Sequence, residues 1–260
     1  MMNANPNLLA LDFDGVICDG LIEYFQVAWR TYRDIWRSQD YDPPQGLAQR
    51  FYPLRAVIET GWEMPVLIRA LMLGMEDGEI FANWGDIVVE ILTKDNLQAK
   101  QIGAQLDGLR DRWIGEDLDG WLDLHRFYPG IVDKIQAILN SGTKLYIITT
   151  KEGRFVEQLL ERSQINLGSD FIFGKENKRP KYEILRELIN IHNLQTEQVW
   201  FVEDRLKTLE LVAQQADLVG LGLYLADWGY NTETERLAAK ANPRIRLINL
   251  SQFAGDFSQW

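Results

Sequence analysis

The chain has 260 residues, 46% of them hydrophobic and 25% charged, with a formal net charge of −11. That composition suits a globular fold with a sizeable core, as one large domain or a core carrying a smaller one, and the acidic balance argues against nucleic acid or an anionic membrane as the main partner. A single cysteine, Cys18, excludes an internal disulfide and fits a reducing compartment, and two distant histidines, His125 and His192, lack the spacing of a zinc site.

The first residues, MMNANPN, show no basic segment leading into an apolar one, so no signal peptide is expected. No apolar run approaches the roughly 18–20 residues needed to cross a bilayer, and the cytoplasm is the expected compartment. Residues 7–13, NLLALDF, are a short apolar run bounded by polar residues, the pattern of a strand buried on both faces. Cys18 follows in apolar surroundings, which predicts a structural, half-buried thiol. The stretch 20–128 holds almost no β-rich run. It carries long amphipathic patterns such as LIEYFQVAWRTYRDIWR, and tryptophans at 29, 36, 62, 84, 113 and 121 that are expected mainly to pack a small domain.

Further apolar runs lie at 144–150, 170–174, 199–204, 219–227 and 246–250. They alternate with helix-period segments at 130–141, 152–163, 181–193 and 205–215. Alternating strands and helices predict crossover units and a parallel sheet. The expectation is an α/β protein: a doubly wound, Rossmann-like parallel sheet core from residues 1–19 and 129–260, with an all-helical cap domain inserted at 20–128. The cap is entered near Gly20 and left near Tyr128-Pro129-Gly130.

In such a sheet, function gathers at the carboxyl ends of the strands. The first predicted strand ends in Asp12 and Asp14, then Gly15; the second in Thr149 and Thr150, then Lys151; the fourth in Glu203 and Asp204. The loop GKENKRPK sets Lys175, Lys178, Arg179 and Lys181 just before a helix. Like charges at a buried strand end are costly unless a cation or catalytic use compensates them. Converging carboxylates, a hydroxyl and a lysine suit phosphoryl chemistry: a carboxylate nucleophile, a hard cation, donors for the phosphoryl oxygens, and a second carboxylate to move protons. Thr150 and Gly15 are further candidates for phosphate contact. Arg50 and Arg55, with Arg69, are candidates to grip the distal end of a phosphorylated substrate, although arginines lying over apolar helix faces are as common.

DFDGV at 12–16, IITTK at 147–151, a lysine near a helix start, and FVED at 201–204 together resemble the four motifs of the haloacid dehalogenase superfamily. FYPGI at 127–131 resembles the turn by which its phosphoglycolate phosphatase-like branch, with a helical cap after the first motif, re-enters the core. The resemblance implies a magnesium-dependent phosphatase acting on a small organic phosphate monoester, of the phosphoglycolate or sugar phosphate type. Asp12 would be nucleophile and metal ligand. Asp14 would be general acid/base and lend its main-chain carbonyl to Mg2+. Thr149 would hold the phosphoryl group, and Asp204 with Glu203 would complete the metal site. Dehalogenation is disfavoured, because that branch lacks an acid at the position of Asp14. The lysine is Lys181 or Lys178; helix register favours Lys181, four residues before Leu185 in the apolar stripe. Two other readings stay open: a phosphomutase on the same scaffold, and a non-catalytic protein binding a phosphorylated metabolite. A small phosphorylated metabolite is the expected partner of a monomer or homodimer.

Overall fold

The computed structural model describes residues 5–260. They form two compact units, one made of the residues up to Asp19 together with Arg126–Trp260, the other of Gly20–His125. The first unit begins with β1 (Leu8–Leu11), four residues with no exposed surface, and a tight turn leading to β2 (Cys18–Asp19). The second unit holds α1 (Leu21–Trp36), α2 (Leu47–Leu54), α3 (Glu63–Met72), α4 (Asp77–Lys94), α5 (Ala99–Glu116) and α6 (Leu118–Leu122). The chain then pairs β3 (Arg126–Phe127) antiparallel to β2, ahead of the Tyr128-Pro129-Gly130 turn. It continues through α7 (Ile131–Leu139), β4 (Lys144–Ile148), α8 (Gly153–Arg162), β5 (Ile172–Phe173), α9 (Lys181–Ile191) and β6 (Val199–Glu203). The remaining elements are α10 (Leu206–Ala213), β7 (Gly222–Ala226), α11 (Glu233–Ala241), β8 (Ile245–Ile248) and α12 (Leu250–Ala254).

Six of the strands make one parallel sheet in the order β5-β4-β1-β6-β7-β8. Leu8 and Ala10 point into a core with Ile184, Leu188, Phe201 and Leu209, which brings α9 and α10 onto one face. On α7, Ile131, Ile135 and Ile138 are buried, and the helix lies against β4 and α12. The α/β fold expected from alternating strands and helices is therefore present, as is the helical character of the insertion.

The sequence reading passes over three features. The two-residue β2–β3 pairing is too short to leave a periodic signal. Helices α11 and α12 did leave one: Thr232-x-x-Glu235 and Asn249-x-x-Gln252 both form reciprocal capping boxes. The apolar run at 246–250 accordingly ends as strand at Ile248, because Asn249 caps the next helix. Cys18 is fully buried rather than half-buried, and burial pushes its thiol well above the usual range.

The helical unit has its own core. Helix α1 packs against α3 and α5, and four of the six tryptophans named above, Trp29, Trp84, Trp113 and Trp121, are buried. Its central polar feature is Glu23, only 1% exposed, whose carboxylate accepts hydrogen bonds from Arg110 Nε at 2.8 Å and Trp121 Nε1 at 3.0 Å. Removing one partner of a buried pair leaves the other charged and desolvated. Glu23→Ala is expected to cost about 3–5 kcal/mol, read as a lower denaturant midpoint in equilibrium unfolding.

Candidate active site

The chain path accounts for where the polar residues meet. From β1 the chain goes to its neighbour β4 and on to β5, then crosses back to β6 on the other side of β1. A reversal of this kind opens a crevice at the carboxyl ends of the central strands. Leu11 pairs with Ile147 on one side and Val202 on the other, so Asp12, Thr149 and the Glu203-Asp204 pair lie at adjacent strand ends.

Asp12 is anchored by its backbone N–H, which donates to the Val202 carbonyl at 2.9 Å. The chain then turns sharply: Ile17 and Cys18 N–H both donate to the Phe13 carbonyl, and Gly15 N–H donates to the Cys18 carbonyl at 2.8 Å. Gly15 has φ +85°, in the left-handed region that favours glycine, and a Cβ there would lie 2.1 Å from Asp204 Oδ2. The turn's conformation and its closeness to Asp204 both demand that residue.

Asp12, Glu203 and Asp204 are buried and offer carboxylate oxygens that all lie within 4.8 Å of one another. Between them reaches Lys181, the first residue of α9, with Nζ 2.7 Å from Asp12 Oδ1 and 2.7 Å from Glu203 Oε2. The contact with Glu203 is aligned as a hydrogen bond, whereas that with Asp12 is an ion pair out of line for one. A lysine at a helix N-terminus is opposed by the helix dipole, and the two acids facing it outweigh that opposition. Lys178 is exposed and follows a short 3₁₀ turn with φ +50°.

Three carboxylates against one ammonium leave the cluster short of positive charge. Burial first, and then the charge of Glu203, push Asp12 up to about 7 against the pull of Lys181. Burial and the charge of Asp12 push Asp204 up to about 6. Glu203 is raised as well, chiefly by burial. Burial opposes the charge on Lys181, but Asp12 and Glu203 more than offset it and hold the ammonium above its ordinary range. An all-oxygen, buried, anionic donor set is what a hard divalent cation fits.

Glu203 is largely occupied by the protein: one oxygen takes Lys181, and the other accepts from the N–H groups of Asp204 at 3.1 Å and Arg205 at 3.0 Å. Asp14, half-buried, faces Lys151, whose Nζ lies 3.1 Å and 3.4 Å from its two oxygens. Thr149 is buried, and its Oγ1 accepts from the Lys151 N–H at 3.1 Å, leaving the hydroxyl proton to donate elsewhere. Thr150 is exposed.

Arg50 and Arg55 both belong to the helical unit. The Arg50 guanidinium is engaged by Asp77 at 2.6 Å and by the Met75 carbonyl, so it is less free to grip a substrate than the sequence suggests. Arg55 donates to the Ile58 carbonyl at 3.0 Å and lies 5.1 Å over the Tyr24 ring. Asp19 does not cap α1, whose N-cap is Gly20; it accepts from the Tyr230 hydroxyl at 3.0 Å.

Sequence reasoning missed the loop after β7, Asp227–Asn231. Tyr230 N–H donates to Asp204 Oδ2 at 2.7 Å, and Asn231 Nδ2 donates to the carbonyls of Asp204 at 2.9 Å and Ala226 at 2.8 Å. Gly229 packs so closely that a Cβ would lie 2.3 Å from Asp204 Cβ and 2.6 Å from the Gly15 carbonyl. The only signal was a glycine between two aromatic residues after a strand, which marks a turn and nothing more.

The family model for haloacid dehalogenase-like hydrolases matches residues 75–218, more than half of the chain. The chain belongs to that family. It is thus a hydrolytic enzyme, and the matched span holds Thr149, Lys181, Glu203 and Asp204 while Asp12 and Asp14 precede it. The hydrolase is 28% identical to a phosphoglycolate phosphatase of Aliivibrio fischeri over 191 residues, 65% of this chain and 79% of that one. It is 22% identical to one of Pseudomonas syringae over 94% of this chain and 77% of the relative. Among solved structures, a predicted phosphoglycolate phosphatase from Haemophilus somnus shares the hydrolase's fold with a TM-score of 0.60 at 15% identity, covering 99% of this chain and 97% of that one. No helix among the described residues of the hydrolase is long and apolar enough to cross a membrane.

Proposed function

We propose that this hydrolase is a Mg2+-dependent phosphatase that cleaves a small organic phosphate monoester, of the phosphoglycolate or sugar phosphate type, through a phosphoaspartate on Asp12. The observation that carries the reading is the buried set of Asp12, Glu203 and Asp204 around Lys181, with Thr149 and Asp14 on the same strand ends. The names of the phosphoglycolate phosphatases it resembles support the substrate class.

Mg2+ held by Asp12, Asp204 and the Asp14 carbonyl, with Glu203 beside them, would neutralise charge on the phosphoryl oxygens. An Asp12 carboxylate oxygen attacks phosphorus, and the bond from phosphorus to the ester oxygen breaks. Asp14, entering as the acid, gives its proton to the departing alkoxide. As a carboxylate, Asp14 then takes a proton from water, whose oxygen attacks the phosphoaspartate; the bond to Asp12 breaks and inorganic phosphate leaves. Lys181 holds the Asp12 carboxylate and meets charge on the phosphoryl group, and the Thr149 hydroxyl donates to one of its oxygens. Lys151 positions the Asp14 side chain, its Nζ 3.1 Å from Oδ1, and steadies the carboxylate once the proton has left. We assign the protein to the cytoplasm, consistent with its single buried thiol.

The test is phosphate release from a panel of phosphorylated metabolites, with Mg2+ and with a chelator. Metal-dependent release from one or a few compounds is expected. Its absence from folded protein would turn the reading towards phosphoryl transfer between sugar hydroxyls or towards binding alone.

Stability should report the metal independently of turnover. Asp12 and Asp204 have folded-state values raised to about 7 and about 6 from 3.8, so the metal-free fold binds more protons than the unfolded chain between those limits. Their contribution to stability is full below about pH 4 and is lost as pH rises towards 7. Mg2+ needs the ionised carboxylates and reverses the trend. The rise in Tm on adding Mg2+ is expected to be near zero at pH 5 and several degrees at pH 8; an equal rise at both would remove the cluster as the metal site.

A further inference from the structure

One cavity, of about 380 Å3, lies wholly within the helical unit and plays no part in the site above. One wall is a single face of α1, where Ile22, Phe25, Gln26, Trp29, Arg30 and Arg33 recur at helical spacing. Tyr24, the residue under Arg55, lies on the opposite flank of the same helix. The other wall is the loop ahead of α2. It is fastened to α1 by Trp29 Nε1, which donates to the Tyr41 carbonyl at 3.0 Å, and stiffened by Pro43 and Pro44.

Two guanidinium groups border this space without an acidic partner among the described residues. Arg30 lies 3.7 Å over the Trp113 ring and Arg33 lies 4.9 Å over the Tyr41 ring. Arg33 Nε is buried and has no hydrogen-bond acceptor. Buried polar groups in folded proteins are nearly always satisfied, so an N–H donor left without an acceptor beside a cavity calls for one. The other charged group lining the cavity is the exposed Asp42. Aromatic walls with a few placed polar groups, at this volume, are the usual build of a small-molecule pocket. The rings beneath the guanidiniums hold them by cation–π contact and leave their N–H edges to a ligand.

We infer that the pocket between α1 and the loop ahead of α2 binds a small organic anion with a flat apolar body, its acidic group taken by Arg33 and Arg30 and its body set among Phe25, Trp29 and Tyr52. The inference rests on the helical unit alone and stands whether or not the chain is a phosphatase.

The test uses full-length protein and acids that a phosphatase cannot consume: indole-3-acetate and naphthalene-1-sulfonate, with indole-3-acetamide as the neutral isostere, followed by isothermal titration. At least one of the two acids is expected to bind, with the amide at least tenfold weaker. Arg33→Gln should weaken the acid at least tenfold, Arg33→Lys should recover part of that loss, and Ala48→Phe, which fills the space, should remove binding at unchanged Tm. Equal binding of acid and amide, an unchanged affinity in Arg33→Gln, or no binding of either acid to folded wild type would overturn the proposal. Binding abolished by inorganic phosphate but untouched by Ala48→Phe would likewise overturn it, by locating the ligand at the strand ends.

Discussion

Asp12→Asn is expected to reduce phosphate release by at least about a thousandfold, with no loss of stability in metal-free buffer at pH 8. The amide keeps the shape of the side chain and cannot form an acyl phosphate, so chemistry stops at the first step. Stability goes the other way for an electrostatic reason. An ionised Asp12 sits buried beside Glu203 and Asp204, which is why its carboxyl is raised to about 7. Holding it charged at pH 8 costs on the order of a few kcal/mol, partly offset by Lys181. The asparagine carries no charge to desolvate, and Lys181 retains Glu203 at 2.7 Å. Release assays beside thermal unfolding at pH 8 check both halves. An inactive variant that is also several degrees less stable would mean that Asp12 is structural, and substantial release would remove it as the nucleophile.

Lys181→Met should be the most damaging single change at the strand ends. It deletes the cation between two buried carboxylates without opening a large hole, because the methionine stem replaces the lysine stem. Breaking a buried pair from one side typically costs about 3–5 kcal/mol, and release should fall with it. The sign with pH is specific. Without the ammonium, Asp12 and Glu203 hold their protons more tightly in the folded state, so the variant's deficit should be smallest near pH 5 and grow as pH rises to 8. Lys178→Met, at an exposed position, should stay within about ±0.5 kcal/mol at either pH. Melting curves of the two variants at pH 5 and pH 8 decide the matter. A Lys181 variant matching wild type at pH 8 would show that the buried acids draw their compensation from elsewhere.

These expectations divide between what can be read locally and what cannot. NLLALDF reads as a buried strand because apolarity, length and the flanking polar residues are properties of seven adjacent residues, and the chain puts β1 there. Asp12-x-Asp14-Gly15 is legible for the same reason: two acids closing such a run are physically odd wherever the chain goes next. The alternation of runs and amphipathic segments sufficed for the parallel sheet, since each crossover is decided by its own element. Even α11 was there to be read in Thr232-x-x-Glu235.

Which side chains meet was another matter, because it depends on positions far apart in the chain. Lys178 and Lys181 are three residues apart and chemically alike. Only the start of α9, set against β1 and β6 by the sheet order, brings one of them within 2.7 Å of Asp12. Arg50 looked available until α4 brought Asp77 against it. The grip of Tyr230 and Asn231 on Asp204 joins residues 26 and 27 positions apart, across a helix, a strand and a turn that carry no trace of it. Sequence by itself thus determined the elements and the presence of an acidic strand end, since backbone preference and burial act over a few residues. The tertiary structure decided how the charges pair and which donors hold each carboxylate, because electrostatic compensation in a buried site depends on ångström distances between strands that only the assembled sheet brings together.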